Sequence, residues 1–411
     1  MFNLAKYGVI KVMIHRILYF IFMISLAQLS WIATLRAETI DKLQFSGFAR
    51  VVMGYLDDKN AEYLGYDNSV SFDQESLIGV QVDYQLLDEL AFTGQLIGHT
   101  GKERDSGVEW LYLTYAPTNK LKLKLGRQRT PFLNYSDVID VGYAYPWATL
   151  PQQIYPRHFF STFDGLMANY EITGKEFVMN IEGYWGYFED KIVVSERVMN
   201  AKTNDFSGVI SVVNYKNWTF RGSYHRGKTS IELDELTEFS GLLGQLGFIQ
   251  SAESLATAGL TEVFQLSANY ENLNYFIRTE LNRIQADFVL VPDTDGYSIS
   301  TGYNYFPFST YIVYSKNKTQ YEQPASDIPV GLSPQLDVIA FSYQEIFNQL
   351  PVDSSEAFTI GTRWDLKAGL ALKGEVSWIN GEETDRAYFS INDPSFDRKA
   401  TLYLLALEWV F

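Results

Sequence analysis

The sequence predicts an all-β chain: a transmembrane antiparallel β-barrel of about 16 strands. Three observations carry that expectation. From residue 42 onward, apolar and polar residues alternate with period two almost everywhere, so each strand has one apolar and one wet face. The connections between the strand-like runs alternate between short and long. After Ala37 no apolar run approaches the length of a membrane-spanning helix, so if the chain crosses a bilayer it does so with strands.

Composition narrows the class further. The 411 residues include no cysteine, carry a net charge of −16, and hold 28 Tyr and 28 Phe. The lack of cysteine excludes disulfides and thiolate metal sites. The acidic balance, without any basic stripe, argues against a nucleic-acid partner. So aromatic a chain is not a solvated acidic tail either.

In chain order, the first segment is a signal peptide over residues 1–37. Lys6, Lys11 and Arg16 precede the apolar Ile17–Ala33, and small Ala37 stands at the cleavage edge before Glu38. Met13 would start a more ordinary n-region. Its removal takes away Lys6, Lys11, Arg16 and Arg36 and no acid, so the mature chain, residues 38–411, falls from −16 to −20.

Sixteen strand-like runs follow, at roughly 42–55, 76–85, 90–99, 108–117, 121–129, 163–173, 177–185, 206–215, 218–227, 261–270, 273–284, 296–306, 309–319, 356–366, 370–380 and 399–411. "QFSGFARVVMGY" sets Phe45, Ala49, Val51, Met53 and Tyr55 on one face and Gln44, Ser46 and Arg50 on the other. "FTIGTRWDL" sets Phe358, Ile360, Trp364 and Leu366 against Thr359, Gly361, Arg363 and Asp365. Turns such as Lys216–Asn217 and Glu271–Asn272 are short, whereas Leu56–Glu75, Thr130–Thr162, Gly186–Asp205, Lys228–Leu260, Gln320–Ser355 and Gly381–Arg398 are long. Short turns at one end and long loops at the other suit a membrane barrel, while a Greek-key sandwich has no reason to sort its loops by end. Backbone groups in hydrocarbon must all be paired, which also requires closure. Tyr55, Trp110, Tyr170, Trp185, Trp218, Tyr270, Tyr305, Trp364 and Trp378 fall near strand ends, where interfacial girdles are expected.

Two stretches are more specific. "GRQRTPFLNYSDVIDVGYAYPW" (Gly126–Trp147) follows the alternating "LKLKL" of the fifth run and has no helix or strand period of its own. It is too aromatic for disorder, and long structureless loops inside compact domains are usually functional. "TLYLLALEWVF" puts Tyr403, Leu405, Leu407, Trp409 and Phe411 on one face. That last strand resembles the assembly signal of Gram-negative outer-membrane proteins. With sixteen strands and a long third loop, the mature chain resembles the sixteen-stranded trimeric general porins, and the Gly126–Trp147 segment is similar to that of a gammaproteobacterial porin-like group.

The resemblance implies a third loop folded into the barrel and narrowing an aqueous lumen, and a passive channel for small hydrophilic solutes and ions in the cell outer membrane. It implies a homotrimer in contact with lipid bilayer and lipopolysaccharide. Candidate constriction residues are Arg127, Arg129, Asp137, Asp140, Arg157 and Asp164, with Arg50 on the wall. Alternation adds Arg221, Arg278, Arg363, Lys373, Asp83, Glu171, Glu182, Glu280, Asp365 and Glu375 as lumen-facing positions, so a field across the pore is expected rather than a ring of one sign. Acidic outer loops, such as Asp57, Asp58 and Glu62 in the first, would concentrate cations at the mouth. The alternatives are a substrate-selective channel, for example for anionic solutes drawn by Arg127, Arg129 and Arg157, a closed receptor or adhesin barrel, and an outer-membrane enzyme.

Catalytic, cofactor and metal motifs fail on inspection. His15, His99, His158 and His225 stand in no nucleophile pattern and no H-E-x-x-H occurs. "DKNAEY" from Asp58 imitates a calcium loop but lacks its sixth-place glycine and terminal Glu. "GLLGQLG" (Gly241–Gly247) has the wrong spacing for a dinucleotide turn and is expected to join a short helix in the fifth loop. No enzyme, cofactor or metal is expected.

Overall fold

The computed structural model describes residues 42–101, 106–155, 162–194, 197–321 and 323–411. Residues 45–411 form one compact unit. The expected signal peptide over residues 1–37 lies outside the described residues, as do Arg157 and His158.

The strands in chain order are β1 (Leu43–Leu56), β2 (Ala61–Tyr63), β3 (Leu77–Leu87), β4 (Leu90–His99), β5 (Gly107–Thr118), β6 (Leu121–Arg129), β7 (Thr162–Thr173), β8 (Phe177–Val194) and β9 (Arg197–Tyr215). They continue with β10 (Trp218–Ile231), β11 (Ala258–Glu271), β12 (Tyr275–Ala286), β13 (Asp293–Tyr305), β14 (Phe308–Gln320), β15 (Ser355–Lys367), β16 (Leu370–Gly381), β17 (Phe389–Ile391) and β18 (Lys399–Val410). All but β2 and β17 form one closed barrel in chain order, with β18 paired antiparallel to β1. The sixteen runs read from the sequence are these sixteen strands. Closure leaves no unpaired edge, as a spanning sheet requires.

Side-chain alternation sets the two faces. Outward residues such as Leu96, Leu111, Leu125, Leu166, Leu266 and Ile299 stay exposed on the barrel's outer surface, as expected of a face made for lipid. Aromatic contacts gather at both strand ends. Trp218 meets Tyr270, and Tyr305, Phe308 and Trp364 follow one another near the short turns. Tyr224–Phe264, Tyr297–Tyr314 and Phe358–Trp378 pair toward the long loops. Trp110 departs from the expected girdle. A register shift between Gln95 and Leu96 precedes it, and it lines an inner cavity with Tyr112.

The chain seam is closed at Phe411, whose N–H donates to the Gly47 carbonyl at 2.9 Å and whose carbonyl accepts from Gly47 N–H at 2.8 Å. A Cβ at position 47 would run into the Phe411 ring, so the glycine makes room for it. Deleting Phe411 removes both bonds and that ring packing. Folded yield in the outer membrane should fall several-fold while the conductance of the surviving barrels stays unchanged; undiminished yield would refute this role.

The fourth long connection is shorter than expected. Over Gly186–Asp205, β8 and β9 continue as a paired hairpin, with pairs from Phe188↔Thr203 to Val194↔Arg197. The extension buries Phe188 and Ala201 against Ile231 and Phe288, an apolar gain that alternation at the barrel wall does not reveal.

The other long loops are ordered by small cores. The fifth carries helices Asp234–Gln245 and Ile249–Glu253, the first containing Gly241 and Gly244 as expected, and the seventh carries helix Pro334–Gln349. Ser333 caps the last helix by accepting from Leu336 N–H at 3.3 Å, with Pro334 in its first turn. Leu236, Leu243, Leu255, Val289, Ile328 and Tyr343 pack together and join the loops. Asp327 of the seventh loop accepts from Gln250 and Ser251 N–H at 3.0 and 3.1 Å and from the Ser251 hydroxyl.

That hydroxyl bond, with the two amides, holds the Asp327 carboxyl below its ordinary 3.8. A lowered folded value contributes stability that is full above the unfolded value and fades as pH falls through the folded one. Amide exchange at Gln250 and Ser251, corrected for intrinsic rates, should therefore accelerate below pH 3.8. Asp327→Asn should remove that acid step. Protection that stays flat across this range in the wild type would contradict the assignment.

Candidate pore constriction

β6 ends in the segment that reads as neither helix nor strand, and its first task is to turn inward. Arg129, buried at the strand end, pairs with Asp140 of the loop and with Glu109 of β5 at 3.4 Å. The Ser136 hydroxyl accepts from Leu133 N–H at 2.9 Å, a local bond of the kind that lets serine organise a turn. Two short turns follow at Ser136–Val138 and Gly142–Ala144. Gly142 lies so close to Glu408 of β18 that a Cβ would collide with the carboxylate.

From there the loop crosses the barrel and is bonded to its far wall. Lys373 of β16 donates to the carbonyls of Gly142, Tyr145 and Trp147 at 2.8, 2.7 and 2.8 Å, and it pairs with Glu408 in full burial. Arg363 of β15 donates to the Tyr143 carbonyl at 2.7 Å. Glu375 accepts from Ala148 N–H at 3.0 Å and from Tyr311 hydroxyl at 2.9 Å. Arg50 of β1 pairs with Glu75 and donates to the Tyr145 hydroxyl at 3.1 Å, which in turn donates to the Ile139 carbonyl.

The other half of the loop is held from β10 to β15. Arg221 donates to the carbonyls of Pro131 and Phe132. Glu280 accepts from Asn134 N–H at 2.8 Å and from the Tyr155 hydroxyl. Asn282 donates to the Ile154 carbonyl at 3.2 Å, and Gln153 bridges Ser315 and Ser355. A loop taken out of water must find partners for its backbone groups, and here the barrel wall supplies charged ones.

Apolar packing completes the anchor. Phe132, Leu133, Tyr145, Trp147, Leu150, Ile154 and Tyr155 of the loop bury themselves against inward residues from β7 to β14, including Phe163, Tyr184, Phe206, Phe276 and Val313. Val141 packs with Phe48, Leu77 and Ile97 near β1, β3 and β4. On the β15–β18 side, inward Val52, Ala357, Ile379, Leu402, Leu404 and Ala406 meet Ala148 and a lid formed by the β2–β17 sheet with Tyr63, Tyr66, Phe389 and Phe396. These inward apolar residues were not expected on a wet wall. They face loops, not water.

A cavity of about 450 Å³ lies beside β5 to β9. Its wall carries Trp110 and Tyr112 of β5, Lys122 and Lys124 of β6, Asn169 of β7 and Glu182 of β8, and the loop contributes Asp137. Lys124 sits 5.0 Å from the centre of the Tyr112 ring, and Asn169 donates to Glu182 at 2.8 Å. Two ammonium groups, the Arg129 guanidinium and two carboxylates thus line one cavity, which favours a field across it over a ring of one sign.

The seven residues proposed from sequence separate into distinct places. Asp137 lines the cavity, and Arg129 reaches its wall as well. Arg50, Arg129 and Asp140 are buried struts of the loop. Arg127 and Asp164 correct the expectation, because they form a cross-strand ion pair at 3.0 Å on the outer face. Their neighbours two residues away, Leu125 and Leu166, pair in the same register and are 61% and 46% exposed, so period two puts the pair on the lipid side. Arg157 lies outside the described residues. Lys122 and Lys124 were missed, although "LKLKL" announces them: with leucines outward, both lysines point in.

Among the described residues no group of three His, Asp or Glu is placed to hold a metal ion. No family model matches the chain and no curated protein matches it. Solved structures do. An anion-selective porin from Comamonas acidovorans superposes with a TM-score of 0.55 at 12% identity, covering 90% of this chain and 99% of that one. Salmonella typhi OmpF in complex with daunomycin gives 0.54 at 11%, covering 92% and 100%. A loop L8 deletion mutant of OmpT, an outer membrane protein of Vibrio cholerae, gives 0.53 at 12%, covering 90% and 99%. With a closed antiparallel barrel of matching extent and topology, this chain takes the fold of the sixteen-stranded outer-membrane porins.

Proposed function

We propose that the protein is an outer-membrane porin, a passive diffusion channel for small hydrophilic solutes and ions. The observation that carries this reading is the third loop, bonded across the barrel so that a polar passage lined by Lys122, Lys124, Asp137 and Glu182 remains against β5 to β9. A buried loop held by so many charged partners is a fixed constriction, and the groups lining such a constriction set what passes. The barrel sits in the bilayer of the outer membrane with its long loops toward lipopolysaccharide, and it assembles as a homotrimer. An in-vitro folded trimer form of the Vibrio cholerae OmpT, 13% identical with a TM-score of 0.50, supports that assembly. Residues 1–37 are a signal peptide removed on export, and intact mass of the outer-membrane form should begin at Glu38.

A substrate-selective channel for anionic solutes is the second reading, favoured by the two inward lysines. Planar-bilayer recording in two salts separates the possibilities. Open, ohmic current with weak preference is the expected result. Saturable current would transfer the assignment to the selective channel, and no current at all would leave a closed receptor barrel.

A further inference from the structure

A cavity near the long-loop end is separate from the passage. It has a volume of about 650 Å³ and is walled by the fifth, sixth and seventh long connections above the ends of β12, β13 and β14. Small-molecule sites commonly fall in this size range. Phe288, Val289 and Phe347 give it an apolar side, while Glu253, Asp287 and Asp293 give it three carboxylates, and no lysine or arginine lines it.

The walls are preformed. Val289 is buried in the core that joins the loops, Phe347 packs on that core, and Asp327 ties the seventh loop to the fifth. The carboxylates keep free valence. Asp287 Oδ1 accepts from Leu260 N–H and Asp293 Oδ1 accepts weakly from Ala286 N–H at 3.4 Å, while their Oδ2 atoms and the exposed Glu253 carboxylate bond to nothing among the described residues. The Tyr321 hydroxyl has no hydrogen-bond partner among the described residues either, and its burial beside Asp353 keeps it protonated as a donor.

These features discriminate between ligand classes. An anion would meet three carboxylates with no lysine or arginine among the lining residues. A metal ion needs ligands converging on one point, and no such group of three is present among the described residues. A neutral solute would leave the charge unused. A cation with a ring can use both sides at once, since aromatic faces and carboxylates each attract an ammonium group. We infer that this cavity binds a small organic ammonium ion with an apolar, ring-bearing body, the charge directed to Glu253, Asp287 and Asp293 and the ring to Phe288 and Phe347.

Calorimetric titration of the folded barrel in micelles with 2-phenylethylammonium, 2-phenylethanol and phenylacetate tests this. The ammonium ion should bind saturably at one site, the alcohol at least about tenfold more weakly, as expected for the loss of one charge-assisted contact, and the carboxylate should not bind. Glu253→Gln and Asp293→Asn, combined, should weaken the ammonium ion about tenfold and leave the alcohol unchanged. Asp137→Asn, in the lumenal passage, should leave the binding of the ammonium ion as it is, and magnesium chloride should compete no better than sodium chloride of equal ionic strength. Equal binding of amine and alcohol, an unaffected Glu253/Asp293 variant, or loss of binding in Asp137→Asn would each overturn the inference, the last by placing the cation in the passage.

Discussion

Replacing Lys373 by methionine should cost the barrel about 3–5 kcal/mol, the usual penalty for leaving one partner of a buried ion pair alone. Both side chains of the Lys373–Glu408 pair are almost wholly inaccessible, at 0% and 1% exposure. The ammonium group also satisfies three loop carbonyls, those of Gly142, Tyr145 and Trp147. The variant therefore loses its fit to the wall and its hold on the loop together. Guanidinium unfolding of the barrel in lipid vesicles should show the lost stability, and single-channel current should become larger and noisier. Adding Glu408→Leu removes the orphaned charge, and replacing both partners of a buried pair by apolar residues is often close to neutral. The double variant should regain most of the stability while its current stays noisy, because the three carbonyls still lack their donor. If the single variant costs under about 1 kcal/mol, or if the double variant restores quiet current, Lys373 is not the tether of the loop.

The same lysine shows where the sequence is legible and where it stops. Alternation along "LALKGEVSW" puts Lys373 and Glu375 on the inner face, and the structure agrees. Their partners in the third loop, however, lie more than two hundred positions earlier in the chain. Nothing local encodes such a contact, so residues that read as wetted lumen charges turn out to be struts. Strand number and order were legible because period two and short turns are local properties, and sixteen runs became sixteen barrel strands.

Arg127 failed for a different reason. Period two through "LKLKLGRQR" assigns it to the leucine face, but the likeness of the following segment to a porin loop drew it inward. Gly126, at a φ of +133° that favours glycine, looks like a break, yet Arg127 still pairs in register with Leu111 and Asp164. Local alternation was the better guide there. Inward apolar residues such as Leu402, Leu404 and Ala406 were illegible because an alternating pattern with apolar residues on both faces says nothing about what covers the inner one. Here the cover is a lid of loops distant in sequence.

Reversing Lys122 and Lys124 together to glutamate should move the ion preference of the channel strongly toward cations. Both ammonium groups line the passage with Arg129, Asp137 and Glu182, so the double variant sets four carboxylates against the single Arg129 guanidinium. In a narrow polar passage at an effective dielectric near 20, a unit charge acts about four times more strongly on a passing ion than in bulk water. Stability should change little, within about 0.5 kcal/mol, since neither lysine bonds the loop to the wall and water reaches both. Arg127→Gln provides the contrast. It removes a charge from the outer face, where the protein wall and a screening length of about 8 Å at physiological salt separate it from the passage. Reversal potentials under a salt gradient report on both variants. A large shift for the lysine pair and none for Arg127→Gln is the expected outcome. Equal shifts, or no shift from the lysine pair, would mean that ions do not pass between β6 and the loop, and the constriction would have to be sought elsewhere in the barrel.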